Sequence, residues 1–175
     1  MATKGRLKLN NFNPKDLALP LKLYKGMGLK IKKLSNSSYE IYCKKLKPLK
    51  KISTKEFPGY PTDLQAQLIA TQLKSGLKSK VVENIFENRF IHIPELRRFG
   101  ANLSIKGNTV TIDKTSNLLG AEVMATDIRA SFSLIIAAMM SKGKTVINRI
   151  YHLDRGYEDF DLKLKKCGVN ISRKK

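Results

Sequence analysis

Pro94-Glu95-Leu96-Arg97-Arg98-Phe99-Gly100-Ala101-Asn102-Leu103 is the stretch on which the reading of the fold turns, because its pattern occurs three times. Leu21-Lys22-Leu23-Tyr24-Lys25-Gly26-Met27-Gly28-Leu29-Lys30-Ile31 carries it earlier, and Leu162-Lys163-Leu164-Lys165-Lys166-Cys167-Gly168-Val169-Asn170-Ile171 carries it later. In each, an apolar stripe at helical spacing stops at a glycine, and an alternating apolar pattern follows. Glycine suits that stop because the left-handed residue closing a helix has no low-cost room for a Cβ. The stops fall at Gly28, Gly100 and Gly168, a period of about 70 residues. That is long for a solenoid repeat and fits a small α/β unit.

A second motif repeats in the same phase. Thr62-Asp63-Leu64-Gln65-Ala66 matches Thr126-Asp127-Ile128-Arg129-Ala130, and each opens an apolar helix ending near Gly76 or Gly143. A β-branched strand follows each, Val81-Val82 or Thr145-Val146-Ile147. After the strands come Asn84-Ile85-Phe86-Glu87-Asn88-Arg89-Phe90 and Arg149-Ile150-Tyr151-His152-Leu153-Asp154-Arg155-Gly156-Tyr157. The repeating unit is therefore α/β of βαβαββ type, with helices packed on one sheet face. Residues 57–118 form one unit, 119–175 another, and 1–56 a partial one lacking the Thr-Asp helix. Val169 to Ser172 is expected as a strand without its closing hairpin partner. Ser35 to Ser38 is expected as a hairpin turn and Lys44 to Lys55 as a connector. The uneven ends read as a piece of a larger chain.

The chain has 175 residues, and 42% are apolar, enough for one domain core and against wholesale disorder. The longest apolar run, Phe132 to Met140, is too short for a bilayer span, and no secretory signal stands at the N-terminus, so a cytoplasmic location is expected. Cys43 and Cys167 have no metal or redox spacing and read as reduced thiols. The net charge is +20, with residues 1–56 holding 15 Lys and Arg against 3 Asp and Glu, a net of +12. A polyanion partner is permitted by that balance, but so is a solvated lysine surface. Lysines number 26 and arginines 8, and no strip of arginines and aromatics is visible along the chain, so nucleic acid is disfavoured as a partner.

Candidate chemistry lies in the repeated motifs. Asp63 and Asp127 are placed to cap helices, and the same N-termini could hold an anion or a sugar hydroxyl. Arg89, Arg129 and Arg155 fall at motif positions where converging guanidinium groups would suit a carboxylate or phosphate. The competing reading pairs each with a sequence neighbour, Glu87, Asp127 or Asp154. His92 and His152 lack a ligand set for zinc and read as packed or capping side chains. No glycine-rich phosphate loop is present.

Four motifs in order carry a resemblance: Phe57 to Gln67, Ile85 to Phe90, Val123 to Ser131 and Arg149 to Glu158. Together they resemble the UDP-N-acetylglucosamine carboxyvinyltransferase family of enolpyruvyl transferases, over the C-terminal two-fifths or so of such a protein. The resemblance implies a truncated domain of a normally two-domain enzyme, built of βαβαββ units in an inside-out α/β barrel. It implies transfer of the enolpyruvyl group from phosphoenolpyruvate to the sugar 3-hydroxyl, without cofactor or metal. By motif match, Asp63 would contact the sugar hydroxyl as base, and Ile85 would contact the UDP-sugar through its backbone. Arg129 and Arg155 would bind phosphoenolpyruvate, with Arg89 and Asp127 in the same cleft. Leu119 and Phe132 depart from the family pattern, where Ser and a small residue are usual. A partner chain supplying the missing N-terminal half is implied, and the chain alone is expected to be inactive. The alternatives are a basic, non-catalytic α/β module that binds nucleic acid, and a decayed remnant without function.

Overall fold

The computed structural model describes residues 1–174. Strand β1 (Arg6–Leu9) leads through a 3-10 turn at Pro14–Leu17 into helix α1 (Ala18–Gly26), then strands β2 (Lys30–Lys33) and β3 (Tyr39–Tyr42). These strands form an antiparallel sheet in the order β1-β3-β2. The hairpin turn expected at Ser35 to Ser38 is there, closed by the Leu34 N–H donating to the Ser38 carbonyl at 2.9 Å.

The next unit comprises β4 (Lys51–Ser53), α2 (Gln65–Gln72), β5 (Ser79–Val82), α3 (His92–Arg98), β6 (Leu103–Lys106) and β7 (Thr109–Ile112). Its sheet has the order β4-β5-β7-β6, with β4 and β5 parallel and the rest antiparallel. The third group is β8 (Glu122–Met124), α4 (Ile128–Met140), β9 (Val146–Asn148), α5 (Tyr151–Asp154) and α6 (Phe160–Lys166), with β8 and β9 parallel.

Two expectations need correction. The stretch 44–55, read as a connector, contains β4. Only Ile52 of that strand is buried, and three residues flanked by lysines give too short an alternation to recognise. Val169 to Ser172, read as a strand, is irregular and pairs with no strand among the described residues. Its counterpart β6 pairs only with β7, and no equivalent of β7 follows among the described residues. An alternating sequence without a neighbour has nowhere to place its N–H and C=O groups in a ladder.

The glycine stops behave as expected. Gly28, Gly100 and Gly168 have φ of 103°, 83° and 87°. Gly28 is doubly constrained, because a Cβ there would lie 2.3 Å from the Lys45 carbonyl oxygen.

The core sits between helices and sheets. Leu68, Ile69 and Leu73 at α2 meet Leu134, Ala137 and Met140 of α4, and Ile93, Leu96 and Phe99 complete the layer against Val81, Val110 and Ile112. Buried positions of α4 at Ala130, Ser131, Leu134, Ile135, Ala137 and Met140 wrap more than half its circumference. A helix apolar on so many sides lies inside the protein rather than on its surface. Of the two departures from the family pattern, Leu119 is exposed, while Phe132 stacks on Tyr157 with ring centroids 4.5 Å apart.

Candidate active site

Asp63 and Asp127 stand at the starts of the paired helices but do different work. Asp127 caps α4: its Oδ1 accepts from the backbone N–H groups of Arg129 at 2.7 Å and Ala130 at 2.9 Å. This satisfies two of the free donors of the first turn. Asp63 caps nothing. It lies in a 3-10 turn (Thr62–Leu64), its side chain is 60% exposed, and its Oδ1 accepts from Arg89 Nη2 at 3.0 Å and Arg129 Nε at 2.5 Å. Its Oδ2 has no hydrogen bond among the described residues, leaving one carboxylate oxygen open to an incoming donor.

Neither arginine pairs with the neighbour that sequence proximity suggested. Arg89 comes from the loop after β5 and Arg129 from the first turn of α4, 26 and 66 residues from Asp63. Arg89 also lies over the Phe86 ring, 4.8 Å from its centroid. This cation–π contact limits its freedom. Exposed ion pairs add little to stability, so this arrangement is better read as positioning than as support for the fold.

Arg155 is not part of that clamp. It caps the short helix α5 and is exposed, and its side chain forms no hydrogen bond or ion pair among the described residues. Its backbone is nevertheless close to the start of α4: a Cβ on adjacent Gly156 would fall 2.2 Å from Ile128 Cδ1. The carboxylate next to Arg155, Asp154, is taken by Arg173 at 2.6 and 3.0 Å. That pair holds the Asp154 carboxyl below the usual range, chiefly through hydrogen bonding. A cleft of about 730 Å³, with Asp154, Arg155, Asp161 and Arg173 in its wall, adjoins this edge and does not include Asp63.

Ile85 has its N–H committed, donating to Glu83 Oε1 at 2.9 Å. Glu83 is the residue that sequence reading missed. It is 3% exposed, and it also accepts from Thr54 Oγ1 at 2.8 Å, Thr62 Oγ1 at 2.9 Å and the Phe86 N–H at 3.2 Å. One buried carboxylate thus joins the end of β4, the turn bearing Asp63 and the loop bearing Ile85 and Arg89. The available signal was a carboxylate directly after Val81-Val82, at the point where a buried strand ends. Tyr60 anchors the same turn, donating to the Leu64 carbonyl at 3.1 Å while its oxygen lies 3.1 Å from that of Tyr24. Burial pushes both phenols up.

His92 opens α3 three residues after Arg89 and is 1% exposed. Its Nε2 has no partner. Burial depresses its titration to about 4; the Asp127 charge opposes that effect and the Arg89 charge adds to it. A neutral imidazole is therefore packed near the charged cluster, in keeping with the packed role expected for it. No group of His, Cys, Asp and Glu suited to a metal ion occurs among the described residues.

The arrangement is a half-open carboxylate clamped by guanidinium groups from separate units, with a further unpaired arginine near the same helix terminus. The sequence model of the family described as EPSP synthase (3-phosphoshikimate 1-carboxyvinyltransferase) matches residues 1–164. The chain belongs to that family of enolpyruvyl transferases. It is similar to the UDP-N-acetylglucosamine 1-carboxyvinyltransferase of Pelagibacter ubique, 48% identical over 171 residues, covering 98% of this chain and 41% of that protein. The Helicobacter hepaticus protein of the same name is 45% identical over 173 residues, covering 99% of this chain and 41% of that protein. For the protein of that name from Rhodopseudomonas palustris strain TIE-1, the figures are 57% over 122 residues, 70% of this chain and 28% of that protein. The chain thus spans about two-fifths of the first two relatives' length. Among solved structures, the enolpyruvyl transferase NikO from Streptomyces tendae superposes with a TM-score of 0.85 at 24% identity, covering 95% of this chain and 40% of that one. An EPSP synthase from Acinetobacter baumannii gives 0.70 at 16% identity, covering 98% and 40%. The fold is therefore that of the enolpyruvyl transferases, as the repeats and motifs implied.

Proposed function

We propose that this chain supplies the Asp63–Arg89–Arg129 wall of a UDP-N-acetylglucosamine carboxyvinyltransferase site, serving peptidoglycan synthesis in the cytoplasm. The observation that carries the reading is Asp63 itself: one oxygen is fixed by two guanidinium groups while the other is open. The fixed side holds the carboxylate in one orientation, and the open oxygen is available as a general base for a sugar hydroxyl. In the addition step the 3-hydroxyl oxygen bonds to C2 of phosphoenolpyruvate, its proton passes to the Asp63 carboxylate, and C3 takes a proton from solvent water as the C2–C3 double bond opens. In the elimination a C3 proton returns to solvent as the C2–O bond to phosphate breaks, which releases inorganic phosphate and leaves the enol ether. Arg129 and Arg155 would hold the carboxylate and phosphate of phosphoenolpyruvate, with Arg89 alongside and Asp127 keeping Arg129 in the first turn of α4. Preplaced positive groups stabilise anionic charge most where water is excluded.

Because the Ile85 N–H serves Glu83, its carbonyl is the backbone group left to accept from the nucleotide sugar. The names of the relatives favour UDP-N-acetylglucosamine over 3-phosphoshikimate as acceptor. The chain spans about two-fifths of the length of relatives that bear the activity in their name, so we propose that turnover needs the part matching the remaining length, which can be supplied in a test as a complementary polypeptide. The test is phosphate release from phosphoenolpyruvate and UDP-N-acetylglucosamine, by the chain alone and mixed with that complementary polypeptide. Activity only in the mixture, abolished by Asp63→Asn, is expected. Undiminished activity in Asp63→Asn would remove the base from Asp63.

A further inference from the structure

The sheet β1-β3-β2 separates its residues sharply by face. Antiparallel partners share a face, and successive residues alternate between faces. Register places Arg6, Tyr42 and Lys30 in one row across the three strands, and Lys8, Glu40 and Lys32 in the next row on the same side. The opposite side receives Leu7, Ile41 and Ile31, then Leu9, Tyr39 and Lys33. Arg6, Lys8, Lys30 and Lys32 are all exposed. One side of the sheet thus carries four cations and one acid around a tyrosine. Along a strand, alternate side chains are about 6.7 Å apart, and β1 and β2 are about 9.6 Å apart across β3. Like charges this close repel, and the sheet keeps them on one surface.

Tyr42 makes the patch more than a set of charges. The Arg6 guanidinium lies 5.0 Å from its ring centroid and also reaches Glu40 at 3.3 Å. A guanidinium layered on an aromatic ring presents a flat cationic face on which a base can stack. We infer that this face, Arg6, Lys8, Lys30 and Lys32 around Tyr42, binds single-stranded nucleic acid.

The alternatives fit less well. Duplex reading uses a helix or a two-stranded ribbon inserted in a groove, and a three-stranded face is too broad for that. An anionic membrane would attract the cations, but the apolar side chains that could enter the lipid lie on the opposite face. The inference is independent of the Asp63 site, whose residues take no part in it.

The test measures fluorescence anisotropy of labelled oligo(U) and oligo(dT) of about 16 nucleotides, a length that spans a single compact binding face. With three to four phosphates neutralised, a fourfold rise in salt should weaken binding about 20- to 50-fold. The variant Arg6→Gln, Lys8→Gln, Lys30→Gln, Lys32→Gln should lose at least tenfold in affinity and most of the salt dependence. Lys114→Gln, Lys144→Gln, Lys165→Gln, Lys166→Gln removes the same charge from exposed positions elsewhere and should lose less than threefold. Tyr42→Leu should weaken oligonucleotide binding about tenfold while leaving polyphosphate binding unchanged, since only a base stacks. Circular dichroism of each variant should match that of the parent chain. Equal losses in the two fourfold variants would show a net-charge effect and overturn the inference. So would equal affinity for phosphatidylserine vesicles or polyglutamate, an unaffected Tyr42→Leu, or no binding by the parent chain. UDP-N-acetylglucosamine binding, followed in parallel by calorimetry, separates this outcome from any failure at the Asp63 site.

Discussion

Replacing Glu83 should reveal how firmly the candidate site is tied to the core. Glu83→Ala removes an acceptor for four donors, at 2.8 to 3.2 Å, from three chain segments. The Thr54 and Thr62 hydroxyls can rotate toward other acceptors. The Ile85 and Phe86 N–H groups cannot, and each donor left unsatisfied in this part-buried loop costs about 1–3 kcal/mol, toward the lower end where water reaches it. Relief of the desolvated carboxylate offsets part of that loss. A net destabilisation of about 3 kcal/mol is expected. Glu83→Gln behaves differently, because Oε1 alone serves Thr54, Ile85 and Phe86. A glutamine oxygen can keep all three, and its amide can donate to a turned Thr62 hydroxyl. About 1 kcal/mol should be lost, mainly from replacing charge-assisted bonds by neutral ones. Urea unfolding followed by circular dichroism measures both changes. In a chain of this size each kcal/mol corresponds to about 2–4 °C in Tm, so the variants should differ by about 4–8 °C. Equal destabilisation by Ala and Gln would refute the assignment of three donors to one oxygen, and a loss under 1 kcal/mol for Ala would refute the staple itself.

His92 makes stability depend on pH. Its folded titration is depressed to about 4 from 6.5, so the neutral form is favoured in the folded state. The stability this represents is complete above about pH 6.5 and is lost as pH falls toward 4, by about 3 kcal/mol. His92→Gln should remove that part of the slope in urea unfolding measured between those limits; an unchanged slope would place the transition elsewhere. Gly28→Ala should destabilise by at least about 2 kcal/mol, through both positive φ and the clash with Lys45, and calorimetry should record a Tm lowered by several degrees. Arg173→Gln should return the Asp154 carboxyl toward its ordinary titration, observed by carbon NMR, because hydrogen bonding from Arg173 is the main cause of its depression.

Much of the fold and part of the site were legible because they depend on short-range physics. Gly28, Gly100 and Gly168 close helices for reasons contained within a few residues, and Asp127 caps the turn that follows it. The repeat phase carried those local signals into a unit, and the four motifs carried the unit to its family. The sequence could not show that Asp63, in the matching motif position, caps nothing and instead receives two arginines. It could not show that Arg155 stays outside that clamp.

What the amino-acid order determined by itself was the repeated helices, their glycine stops and the chemical types available at each motif. Only the tertiary structure decided which of those groups meet. Arg89 and Arg129 reach Asp63 across 26 and 66 residues, and Glu83 collects Thr54, Thr62 and the next loop from separate segments. The row Arg6–Tyr42–Lys30 exists only in the cross-strand register. Strand β4 and the unpaired stretch after Gly168 make the same point from opposite sides. A helix satisfies its backbone internally, so its own sequence announces it, whereas a strand is completed by a partner that its own residues do not name.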